Sequence, residues 1–202
     1  MDKALVHLSR EDPLLRELIN RYPKATFEKH RNYYHELVDS IISQQLSVKA
    51  ARTIGGRFKD LFGGSFPSPE QILQKDVEEL RAVGLSRPKA RYIQDLAAKI
   101  LDGSVTFDTI DELSNDEIIA ELTKVKGIGV WTVHMFLMFC MGRLDVLPTG
   151  DLGIRNGIKK LYGLDHVPNE REVELIAEEN NWGPYESAAS WYIWKSLDNT
   201  PK

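Results

Sequence analysis

Cysteine is nearly absent: Cys140 is the sole one in 202 residues. A lone cysteine excludes an internal disulfide framework, a zinc ribbon and a four-cysteine iron–sulfur cluster. Glycine and proline are sparse too, at 14 and 9 residues, too few for a collagen-like repeat or a long disordered linker. No apolar run reaches the roughly 20 residues of a membrane span. Met1 to Arg10 lacks the apolar centre of a secretion signal. The expectation is a soluble intracellular protein, with no membrane partner. An excess of basic charge is also missing: 26 basic residues stand against 30 acidic ones, a net charge of −4. That balance alone argues against a nucleic-acid partner, so the distribution matters more than the sum. Glu170, Glu172, Glu174, Glu178, Glu179 and Glu186 face only Arg171 in their stretch. Basic residues gather elsewhere, at Lys49, Arg52, Arg57 and Lys59, at Arg87, Lys89 and Arg91, at Lys124 and Lys126, and at Arg155, Lys159 and Lys160. Each cluster also reads as a solvated helix face.

What is present is helical periodicity. Tyr33/Tyr34, Leu37/Val38, Ile41/Ile42 and Leu46 recur as on one helix face. Val48, Ala51, Phe58, Leu61 and Phe62 mark a second helix, stopped by Gly63 and Gly64. Asp76 with Glu79, and Ser114 with Glu117, have capping-box spacing, and Leu113 with Ile118 fits a hydrophobic staple. Ser86-Arg-Pro88 opens another helix, since proline suits a first turn. Val130 to Met141 is apolar on nearly every side, which predicts a central buried helix. Further helices are expected over Leu152 to Tyr162, Asn169 to Glu179 and Pro184 to Leu197, and the one segment with strand character is Ser104 to Ile110. The fold class is therefore all-α, with about ten helices. Leu80 to Ser86 echoes Leu122 to Gly129 as helix, tight turn, helix.

The second of those turns carries chemistry. A helix that restarts at once after Lys126-Gly127-Ile128-Gly129 exposes unpaired N–H groups and a partial positive charge. Glycine puts no Cβ in the way, so an anion such as a DNA phosphate can approach the backbone at Gly127 and Gly129. Lys124 and Lys126 add charge beside it.

Leu122 to Phe139 resembles the helix–hairpin–helix of the HhH-GPD DNA glycosylases. Asp151 stands where that superfamily places its essential aspartate. Ile41-Ile-Ser-Gln-Gln-Leu-Ser47 resembles the segment that fills the hole left by a flipped base. Val83-Gly-Leu-Ser with Lys89, and Trp182 through Pro184-Tyr185 to Trp194, are similar to further strings of the family. The set is closest to the alkylation-repair branch, the DNA-3-methyladenine glycosylase II type, and spans roughly residues 30–197.

The resemblance implies two helical subdomains with a cleft between them. One is a central helical barrel, 31–142, with the hairpin at about 115–140; the other joins 1–30 to 143–202. It implies a monomer that acts on double-stranded DNA containing damaged bases and excises alkylated purines such as 3-methyladenine. Breaking the bond from C1′ to a ring nitrogen builds positive charge on the sugar, so a nearby carboxylate is needed. Asp151 is that candidate and Asp145 its nearest competitor; locally, Asp151 also reads as a plain N-cap of the next helix. Bifunctional relatives place a lysine at Trp131, and an indole has no amine for a Schiff base. A monofunctional enzyme using water and leaving an abasic site follows. Trp131 is then a base-pocket residue whose ring face attracts cationic bases, with Tyr185 a second and His134 and Met135 one helical turn on. Gln45, with Leu46, is the wedge candidate. No cofactor is required, and the main-chain carbonyls of Thr123, Val125 and Ile128 are candidates for a structural sodium or potassium ion.

Glu186 departs from the pattern, because many relatives carry arginine there. Two rival readings are a non-catalytic helix–hairpin–helix DNA-binding module and a glycosylase for oxidised, deaminated or mismatched bases.

Overall fold

Helices begin where a short polar side chain can accept the first orphan N–H groups. The computed structural model describes residues 1–30 and 32–197. Among them Asp76, Ser114 and Asn169 each cap a helix, with the N3 Glu bonding back to the cap, so both expected capping boxes are present. Ser68 caps another with Gln71.

The described residues form twelve α-helices in order: α1 (Asp2–Glu11), α2 (Pro13–Arg21), α3 (Tyr33–Ser43), α4 (Val48–Leu61), α5 (Pro69–Leu73), α6 (Val77–Ala82), α7 (Arg87–Leu101), α8 (Asn115–Leu122), α9 (Val130–Phe139), α10 (Leu152–Tyr162), α11 (Glu170–Glu179) and α12 (Glu186–Leu197). The expected strand at Ser104 to Ile110 does not form. That segment is a loop running into a 3-10 turn at Ile110–Glu112. Its backbone finds side chains instead of a partner strand: Asp102 accepts from the Ser104 N–H at 2.8 Å and Glu121 from the Thr106 N–H at 2.9 Å. No described helix is long and apolar enough to cross a membrane.

The chain divides into two compact units, residues 1–29 with 137–202, and residues 30–136. Leu137 to Gly142, expected with the middle unit, thus go with the terminal one. Arg31 and residues 198–202, which end two of the expected ranges, lie outside the described residues.

In the middle unit, α3 turns Leu37, Val38 and Ile41 inward, and Phe58, Ile72, Leu80, Ile93, Leu96, Ile118 and Leu122 complete a fully buried core. Each such side chain contributes about 1.5–3 kcal/mol. The echo between the two turns is structural as well. Gly84 and Gly127 both adopt positive φ, +108° and +82°, between one helix and the next.

In the terminal unit, Leu8, Leu15, Ile154, Ile158, Trp182, Tyr192 and Ile193 share one apolar core. Asp12 is fully buried at its edge. One oxygen caps α2 through the Leu14 and Leu15 N–H groups, at 2.9 and 3.0 Å; the other accepts the Trp182 indole N–H at 2.9 Å and the Tyr162 hydroxyl. A buried carboxyl is tolerated only when its oxygens are met by donors in this way. Burial, then the bond to Asp12, raises the Tyr162 hydroxyl above its ordinary range.

Candidate active site

In the terminal unit, a tight turn leads into α10. The Thr149 N–H bonds to the Leu147 carbonyl and the Asp151 N–H to the Pro148 carbonyl, both at 2.9 Å. Asp151 is then the N-cap: its Oδ1 accepts the Ile154 N–H at 2.8 Å. The local reading of Asp151 as a cap is therefore correct, and it leaves a chemical role open. Trp194, near the end of α12, donates its indole N–H to the same oxygen, also at 2.8 Å. Room for that indole exists because residue 153 is glycine. A Cβ there would stand 3.1 Å from the Trp194 Nε1 and 2.9 Å from the Asp151 Oδ1. Aromatic rings continue from Trp194. Phe139 lies 6.1 Å away and Phe27 stacks on Phe139 at 5.7 Å, while Phe139 stays 39% exposed. A carboxylate fixed by two donors beside a partly exposed aromatic row is preorganised for a cationic, flat partner.

Trp194 and Phe139 were not singled out from sequence. Trp194 ends a family string, but its role rests on a hydrogen bond across 43 residues that no local pattern displays.

Tyr185 sits at the other end of α12, half-buried, with its ring edge-on to His7 at 5.2 Å. Next to it, Glu186 lines a cavity of about 670 Å³ with His7, Arg10, Glu174 and Glu178. Its Oε2 is buried without a hydrogen-bond partner among the described residues, and burial, then the charge of Asp145, pushes the carboxyl up. Asp145 itself is exposed.

In the middle unit, α8 and the first turns of α9 enclose the hairpin turn. Val125 and Ile128 anchor it, 1% and 3% exposed. Gly127 is obligatory for two reasons: its φ is +82°, and a Cβ would lie 2.1 Å from the Tyr92 ring. Gly129 differs, because a Cβ there would meet nothing within 4 Å. So Gly127 serves the fold, and Gly129 leaves open space at the head of α9. The first bond of α9 runs from the Val133 N–H to the Gly129 carbonyl at 3.1 Å. The first turn of an α-helix carries backbone N–H groups that its own ladder does not use. Lys124 is exposed. Lys126 is tied to Asp95, through its backbone N–H at 2.9 Å and its ammonium at 3.7 Å.

The helix α9 is not buried on every side as its composition suggested. Val130 and Trp131 at its start are 50% and 51% exposed. His134 and Met135 are half-buried and lie three and four positions after Trp131, so the three share a face.

The wedge candidates are placed by a turn rather than a helix end. The helix α3 stops at Ser43, and Gln45 lies beyond it, exposed, with φ +57°. For a non-glycine residue that conformation costs about 1–3 kcal/mol and needs support from its surroundings. Leu46 beside it is 38% exposed.

Residues 38–181 match a family described as HhH-GPD superfamily base excision DNA repair protein. The chain is 39% identical to DNA-3-methyladenine glycosylase 1 of Schizosaccharomyces pombe, across 97% of this chain and 87% of that protein. Among solved structures it superposes on a DNA-3-methyladenine glycosidase from Bacillus halodurans with a TM-score of 0.86 at 35% identity, covering 97% of this chain and 89% of the other. It superposes on the Schizosaccharomyces pombe 3-methyladenine DNA glycosylase in complex with abasic DNA with a TM-score of 0.79 at 38% identity, covering 99% and 100%.

Proposed function

Because the chain belongs to the HhH-GPD superfamily of base excision DNA repair proteins, we propose that it is a monofunctional DNA N-glycosylase that excises alkylated purines such as 3-methyladenine. The observation that carries this reading is Asp151, its Oδ1 held by the Ile154 and Trp194 N–H groups beside the Trp194–Phe139 rings. The relatives named as 3-methyladenine glycosylases support the substrate class.

The chemistry follows from the bond that breaks. A 3- or 7-alkylated purine is cationic, so it departs as a neutral base when the C1′–N bond opens. The electron pair goes to the ring nitrogen and the positive charge to the sugar. The Asp151 carboxylate stabilises that charge, and preorganised groups of this kind are worth about 10²–10³ in rate. Water adds its oxygen to C1′ and releases a proton, leaving an abasic site. Trp131 offers no amine for a covalent intermediate, so the reaction ends there. The reacting base must first leave the stack, and Gln45 with Leu46 fills the gap. Trp131, His134 and Met135 offer one face to a base, and Tyr185 is a further aromatic candidate. The backbone at Gly127 and Gly129, with Lys124 and Lys126, takes phosphate.

The carbonyls of Thr123, Val125 and Ile128 are our candidates for a sodium or potassium ion. The Val125 carbonyl already accepts the Ile128 N–H at 3.1 Å, and a carbonyl oxygen keeps a second lone pair. Such an ion would supply positive charge near phosphate and no reacting atom; the excision itself draws on no cofactor. We further infer a monomer working wherever the cell keeps its duplex DNA, the nucleoid or the nucleus.

The test is an abasic-site assay on duplexes that each carry one lesion: methylated, oxidised, deaminated or mismatched. Excision of methylated purines by wild type, with Asp151→Asn folded, still bound to DNA and slowed at least a hundredfold, is the expected result. Unchanged turnover in Asp151→Asn removes the mechanism. Binding without excision of any lesion leaves a DNA-binding module instead.

A further inference from the structure

Lys89 is the one member of its basic cluster that turns inward on the wedge loop. From α7 its ammonium donates to the Ile42 carbonyl at 2.8 Å and to the Gln44 carbonyl at 2.6 Å. Those carbonyls belong to the last turn of α3 and the residue after it, where helix geometry leaves acceptors unmet. Burial lowers the Lys89 pKa from its ordinary value, so its position is not that of a solvated lysine. From the same loop, the Gln44 side-chain amide donates to the Gly127 carbonyl at 2.9 Å. Gly127 is in turn locked by its positive φ and by Tyr92. Gln44 is thus pinned at its backbone by Lys89 and at its side chain by the hairpin. The next residue is Gln45, in the left-handed conformation. A strained residue keeps its conformation only when its neighbours fix it, and here the fixing groups come from α7 and from the hairpin turn.

We propose that Lys89 and Gln44 are positioning residues for base flipping. Together they hold Gln45 in its left-handed pose and tie the wedge to the turn that takes the phosphate, so that gripping the strand and opening the stack occur in fixed register. A free lysine of a phosphate-binding face would instead add affinity to any DNA, damaged or not. The inference rests on reading Gln45 as the wedge, and the experiment separates the two.

Single-turnover excision is measured on the lesion duplex that wild type processes fastest, for Lys89→Met, Lys89→Arg, Gln44→Ala, Gln45→Ala and the double variant Gln45→Ala/Lys89→Met. Affinity for undamaged duplex is measured for each. Fluorescence of a 2-aminopurine placed beside the lesion reports the opening of the stack. Misplacement of a positioned group by about 1 Å can cost about 10²-fold. Lys89→Met should therefore lose about 10- to 100-fold in excision and most of the fluorescence rise, with affinity for undamaged duplex within about twofold. Lys89→Arg can still donate to both carbonyls and should keep most of the activity. The double variant should be no slower than Gln45→Ala, because Lys89 acts through Gln45.

Losses that multiply in the double variant overturn the proposal, as does a Lys89→Met enzyme as fast as wild type. A Gln45→Ala enzyme with wild-type excision and fluorescence ends the wedge reading, and the proposal with it. A slowed Gln45→Ala beside an unaffected Lys89→Met ends the coupling alone. If Lys89→Met does not fold, Gln44→Ala carries the same cycle, since it removes a half-buried side chain and only the bond to Gly127.

Discussion

Trp194 donates its indole N–H to Oδ1 of Asp151 at 2.8 Å, on the oxygen that also receives the first backbone N–H of α10 offered to it, from Ile154. The carboxyl is therefore held by a bond within its own helix and by one from α12. Trp194→Phe keeps a ring beside Phe139 and removes the donor. A hydrogen bond to a charged group is worth about 1.5–3 kcal/mol, less for a partly exposed pair, so a loss of about 1 kcal/mol and about 2–4 °C in Tm is expected. Excision should fall about tenfold or more as the carboxyl gains freedom, while affinity for undamaged duplex stays unchanged. Single-turnover kinetics and thermal melts on the same preparation check both. A variant that melts lower but cuts at the wild-type rate would leave Trp194 a purely structural role.

Much of this fold is legible locally, and the exceptions have physical causes. Asp76, Ser114 and Asn169 start helices because capping is settled within four residues. Ser104 to Ile110 fails as a strand because pairing needs a neighbour, and side chains satisfied the backbone first. The apolar run of α9 reads as core from composition, although Val130, Trp131 and Phe139 are left open to solvent; a hydrophobic residue reserved for a ligand looks the same in sequence as one reserved for packing. Asp151 was legible as a cap from its own sequence neighbourhood, whereas its part in the reaction came only from the family resemblance. Trp194 and Lys89 were legible only as members of family strings, because their acceptors lie 43 residues away, or 47 and 45.

The two hairpin glycines should respond differently to a methyl group. Gly127→Ala forces a Cβ to 2.1 Å from the Tyr92 ring at φ +82°. Overpacking alone costs about 1–3 kcal/mol, and the left-handed backbone adds about 1–2. Gly129→Ala meets no atom within 4 Å, so its Tm should stay near wild type while a methyl at the head of α9 weakens DNA binding. Melting curves and titration of undamaged duplex distinguish them: stability should fail first at Gly127, and affinity alone at Gly129.

Lys124 and Lys126 are neighbours in sequence with unequal charges to offer. The Lys126 ammonium lies 3.7 Å from an Asp95 carboxylate oxygen. Neutralising one phosphate releases counterions and contributes about 0.9 to the slope of log affinity against log salt. Lys124→Ala should flatten that slope by about this amount, whatever the DNA sequence. Lys126→Ala should flatten it less, because part of its charge is already compensated. Asp95→Asn should then make Lys126 count for more. Titrations at several salt concentrations decide, and equal slopes for the two alanine variants would show that Asp95 does not compete with phosphate.

The Glu186 carboxyl has a measurable cost. Its carboxyl is raised first by burial and then by the negative charge of Asp145, and Oε2 has no hydrogen-bond partner among the described residues. A carboxyl whose pKa rises on folding binds its proton more tightly in the folded chain. The stability it contributes is then fully present below the unfolded value of about 4.3 and is lost as the pH climbs through the raised folded value. At neutral pH the charged form costs stability. Glu186→Gln keeps the size and hydrogen-bonding capacity of the side chain and never ionises. It should be more resistant to urea than wild type at pH 7.5, and the gap should close as the pH falls toward about 4, where wild type carries the proton itself. Urea midpoints of both proteins across that range give the answer. A glutamine variant no more stable at neutral pH, or a gap that widens in acid, would show that the carboxylate is paid no desolvation penalty at this site.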